Sequence, residues 1–73
     1  MAKPVSMAQM NAIFEVTDRL GMSREVVAVP LAPQGEGSVE QLPGGKVRIV
    51  VPATRTLEEW LPAMRARLIE LLG

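Results

Sequence analysis

Residues 38–51 read SVEQLPGGKVRIVV, and the fold turns on how they are read. Two β-patterned runs, 38–42 and 46–51, flank Pro43-Gly44-Gly45. Proline presets φ at the first turn position, and glycine enters positive φ without a Cβ penalty, so PGG predicts a three-residue hairpin loop. In the second run Val47, Ile49 and Val51 alternate with Lys46 and Arg48, the period of a strand with one buried face. Val50 interrupts the polar face, which predicts a central strand or one whose second face is partly covered.

Working back toward the N-terminus, residues 32–38 (APQGEGS) form a loop by composition. Before it, residues 25–31 read EVVAVPL. The adjacent β-branched Val26 and Val27 favour a strand over a helix. Val27, Val29 and Leu31 then face one way, and Pro30 either restricts the strand to a sheet edge or ends it. The competing reading caps a second short helix on Ser23 and carries it into Val27. Further back, Ser6 with Gln9 three residues on is a capping box, and Val5 with Met10 can form a hydrophobic staple. Met10, Ile13, Phe14, Thr17 and Leu20 recur at helical spacing, Glu15 precedes Arg19 by four, and Gly21 with Met22 ends the run as a Schellman motif. The sequence therefore predicts a helix over residues 7–20.

Beyond the hairpin, Pro52 stops the strand, and Thr56 with Glu59 is a second capping box. Leu57, Trp60, Leu61, Met64, Leu68, Leu71 and Leu72 make an apolar stripe over the last seventeen residues. Pro62 interrupts it. A proline is favourable at a helix start and costly in the interior, so the expectation is a turn at 57–60, a kink or fresh start near Pro62, and a helix to Leu72. The whole reads as one small α+β domain over residues 1–73, two-layered, in the order helix-strand-strand-strand-helix, with an antiparallel sheet and both helices on one face. The alternative is helix-helix-hairpin-helix, if residues 23–29 are helical.

Composition narrows the chemistry. With 73 residues, no cysteine and no histidine, the chain has no disulfide staple, no thiolate or imidazole metal ligand and no histidine-based triad. No metal or other cofactor is expected. Glu58 and Glu59 are explained by the helix N-terminus they precede, and no serine stands in a nucleophile-elbow motif. The sequence thus predicts a protein that is not an enzyme. Gly44-Gly45-Lys46 lacks the earlier glycine and the following Ser or Thr of a phosphate loop. The longest apolar run is too short to span a membrane, and no signal-peptide pattern opens the chain, so the expectation is a cytoplasmic protein without membrane partners.

Net charge is zero, yet three basic residues stand against five acidic ones in 1–45, and five against three in 46–73. Lys46, Arg48 and Arg55 are the candidate anion-binding residues, which would make the chain a small nucleic-acid or anion-binding domain using the basic hairpin face. The element order resembles that of double-stranded-RNA-binding domains. In those domains a lysine-rich start to the second helix grips phosphates, whereas here that stretch is Thr56-Leu57-Glu58-Glu59-Trp60, acidic and without lysine. The leading expectation is different. A chain this short without staples gains stability from association, and its last helix is rich in apolar residues. Trp60, Leu61, Met64, Leu68 and Leu71 are therefore the candidate interaction residues of a protein-interaction or self-assembly module, with Trp60 read most simply as an anchor of the core. Its expected partner is a second copy, as a dimer, or another protein.

Overall fold

In a computed structural model of the chain, which describes residues 4–73, two helices cover one face of a three-stranded sheet. Helix α1 spans Met7–Arg19 and α2 spans Leu57–Leu72. The strands are β1 (Val27–Ala28), β2 (Ser38–Gln41) and β3 (Val47–Val50).

Helix α1 follows the sequence reading closely. The Ser6 hydroxyl accepts from the Gln9 N–H at 3.2 Å, and the Ser6 N–H donates to the Gln9 side chain at 2.9 Å, so both halves of the box are made. Val5 is buried, with Met10 packed against the same cluster. At the far end the Gly21 N–H donates to the Asp18 carbonyl and the Met22 N–H to that of Thr17, both at 3.0 Å, which is the Schellman pairing. The inward stripe buries Ile13 and Thr17 completely. The Thr17 hydroxyl donates back to the Phe14 carbonyl at 3.1 Å, so it leaves no unpaired polar group in the core.

The hairpin also forms as read. Gly44 and Gly45 take φ of 80° and 77°, and the Leu42 N–H donates to the Lys46 carbonyl at 2.7 Å to close the turn. Antiparallel pairing sets Val39 opposite Ile49 and Glu40 opposite Arg48. Val39, Val47, Ile49 and Val51 face the helices and are buried, whereas Glu40 and Arg48 lie exposed on the outer face. β3 is the central strand, and Val50 on the outer face is half-buried.

Three expectations are corrected. The sheet is mixed rather than antiparallel, because the strand order is β1-β3-β2 and β1 runs parallel to β3, Val27 opposite Val47. The loop after β1 carries the chain past the central strand to its other side. Next, residues 25–31 do not make one long strand. Ser23 accepts from the Glu25 N–H and caps a single 3₁₀ turn, Arg24–Val26, after which β1 pairs over two residues only. Each competing reading of the segment thus captures part of it. Alternation ends before Pro30, and Leu31 is 61% exposed. Finally, α2 is continuous through Pro62. Proline has no N–H for the Glu58 carbonyl, but both residues lie on the solvent side, where water can take that acceptor.

Gly37 fixes where α2 meets the sheet. Its φ is +82°, and a Cβ there would stand 2.9 Å from Pro52 Cδ and 3.0 Å from Trp60 Cε2. Only a residue without a side chain lets the loop, Pro52 and the indole close together.

Candidate interaction and anion-binding surfaces

The five candidate interaction residues divide by helical phase. Trp60, Met64 and Leu68 point into the core with Ile13 and Ile49 and are buried within the single chain. Leu61 and Leu71 are half-buried at its margin. What α2 leaves open is Ile69, 43% exposed, and Leu72, 53% exposed. At 3.6 residues per turn Leu61, Arg65, Ile69 and Leu72 share one flank of the buried stripe. Ile69 is the residue that sequence reasoning passed over, although its offset of eight from Leu61 marks it as a member of that flank.

The opposite flank carries Glu59, Ala63 and Arg67 at intervals of four. Ala63 and Arg67, with Trp60 and Met64, line a recess of about 320 Å³ whose other wall is Gly37, Ser38 and Val39. The recess therefore runs along the edge of the sheet, between β2 and α2. Arg67 holds Glu70 at 2.9 Å on the helix surface, with both side chains more than half exposed.

Edge geometry makes this recess more than a crevice. Antiparallel strands alternate between residues that bond their partner and residues whose backbone groups turn away. The Leu42–Lys46 bond sets the phase, so Glu40 and Ser38 turn toward β3, while the N–H and C=O groups of Val39 and Gln41 turn outward. Among the described residues β2 pairs only with β3. The other edge is managed differently: β1 is two residues long, and Pro30 follows it closely. Short strands and proline are ordinary ways of blunting an edge. β2 has neither.

The candidate anion-binding residues are not gathered into one face. Lys46 and Arg48 lie at the hairpin end of β3, and Arg48 is held by Glu40 across the ladder at 3.3 Å. Arg55 lies beyond the other end of β3. There it lines a separate groove of about 530 Å³, together with Ser6 and Gln9 of the α1 cap and Thr56 and Glu58 of the α2 start. Both N-termini already receive side-chain caps, from Ser6 and from Thr56.

The remaining charged groups act locally. Arg24 donates to Asp18 at 3.0 Å and stacks 4.9 Å above the Phe14 ring, tying the 3₁₀ turn to α1. The hydrogen bond to Asp18, and then its charge, raise the Arg24 pKa further above an already high value. Among the described residues no group of three or more His, Cys, Asp or Glu side chains is placed to hold a metal ion. Among the described residues no helix is long and apolar enough to cross a membrane. Comparison of the chain with protein-family models, with curated proteins and with solved structures returns no match.

Proposed function

We propose that the chain is a non-catalytic protein-interaction module that assembles with itself. The observation that carries this reading is the outward-turned backbone of Val39 and Gln41, on a four-residue edge strand with no proline within it and beside a recess that runs along α2. An unpaired strand edge is a template for pairing with another chain. Association also suits a chain of this length, for which a single core confers modest stability.

The test is sedimentation velocity on the intact chain over a series of micromolar concentrations. Self-assembly predicts a sedimentation coefficient that rises with concentration and reverses on dilution. A value that stays at that of the monomer throughout contradicts it.

A further inference from the structure

We propose that the partner at the β2 edge is a second copy of this chain, related by a two-fold axis that passes beside Val39 and Ala63. The proposal rests on the self-assembly reading and adds to it an interface, a register and a pair of ionic contacts.

A two-fold axis beside an edge strand makes the two copies of that strand antiparallel, which is the pairing the outward groups of β2 allow. Centred on Val39, each Val39 N–H donates to the Val39 carbonyl of the other copy. Ser38 then stands opposite Glu40 of the second chain on the outer face, a hydroxyl donor against a carboxylate acceptor. Centring on Glu40 instead sets two carboxylates opposite each other, which is unfavourable. The side-chain pattern of β2 thus favours centring on Val39 over centring on Glu40.

The helices lead to the same axis independently. Val39 and Ala63 border one recess, so the same axis can be placed beside both. It brings the two α2 helices together antiparallel, with Ala63 against Ala63. Glu59 lies four residues before Ala63 and Arg67 four after, so each Arg67 meets Glu59 of the other copy and each Glu59 meets Arg67. About this one residue Glu59 and Arg67 are complementary, with Arg67 also holding Glu70 of its own chain. Packed helices stand about 8–10 Å apart and paired strands about 4.8 Å. Each helix must therefore sit further from the axis than its strand. The recess provides that setback, and the alanine side chain permits the closest approach.

The experiment is sedimentation equilibrium on the intact chain and on three variants, with circular dichroism to verify that each folds. Arg67→Glu sets like charges against Glu59 twice over and weakens the dimer by roughly tenfold or more. Adding Glu59→Arg to it restores the opposite-charge pairs and recovers most of that loss. Gln41→Pro removes an outward N–H that the monomer does not use, and it also weakens the dimer. A dimer whose dissociation constant ignores Arg67→Glu and Gln41→Pro overturns this arrangement while the self-assembly reading stands. So does a dimer weakened by Arg67→Glu that the added Glu59→Arg fails to recover. A wild-type chain that is monomeric throughout overturns both.

Discussion

Helix α1 is closed at both ends by bonds that its own sequence supplies, whereas α2 starts on a weaker cap and runs through a proline. At the α2 start the Glu59 N–H donates to the Thr56 hydroxyl at 3.3 Å. The Glu59 carboxylate then accepts from that same hydroxyl at 2.8 Å rather than from the Thr56 backbone. Yet α2 buries Leu57, Trp60, Met64 and Leu68, while α1 buries Ile13 and Thr17. One helix is specified by local chemistry and the other by what it packs against. The difference matters for function, because the packed helix also borders the open edge of the sheet and presents both of its flanks.

Mutations separate the two kinds of specification. The largest expected effect is on the packed helix. Met64→Ala removes a fully buried side chain and is expected to cost about 3–5 kcal/mol. That approaches the total stability of a domain this size, about 4–11 kcal/mol. Urea unfolding followed at Trp60 should show a midpoint lowered by a large fraction. A loss below about 1 kcal/mol would mean that α2 is not the element that holds the core. Gly37→Ala comes next, at about 2–3 kcal/mol, because positive φ and contact with Pro52 and Trp60 both oppose the new methyl group. The same titration measures it, and a neutral result would show that the loop can move away from the indole.

Pro62→Ala reverses the sign. Restoring an N–H to the α2 ladder should raise stability by about 1–2 kcal/mol, seen as a higher melting temperature, if the helix is held straight against a local penalty. The smallest effects distinguish the caps. Ser6→Ala breaks a complete box and should cost about 1 kcal/mol, while Thr56→Ala breaks half of one and should cost about 0.5 kcal/mol. Thermal melts of the two variants side by side check the order, and a reversed order would place the stronger cap on α2.

The same contrast explains how far the sequence could be read. Much that short-range bonds carry was legible: the Ser6–Gln9 box, the Gly21–Met22 closure, the Glu15–Arg19 pair at 2.8 Å and the Pro-Gly-Gly turn, though the Thr56–Glu59 box forms only in half. The direction of β1 was not legible, because two residues of pairing leave no pattern and a nine-residue connection permits either side of β3. The continuity of α2 was hidden because proline's cost is local, whereas the offsetting burial of Met64 and Leu68 is tertiary. The candidate surfaces show the same division. Apolar spacing on α2 marked the stripe correctly, but the residues that fill the core were identified by the sheet they meet. The Glu59–Ala63–Arg67 line gains meaning only beside Val39, which is distant in sequence.

The role proposed for the open β2 edge, with the recess along α2, is assembly of the chain with itself. Sedimentation equilibrium on the intact protein, over micromolar concentrations at low and high salt, tests it most directly. A self-assembling chain shows a reversible monomer–dimer equilibrium that weakens as salt screens the Arg67–Glu59 contacts. A single monomeric species at every concentration and both salt levels would contradict it.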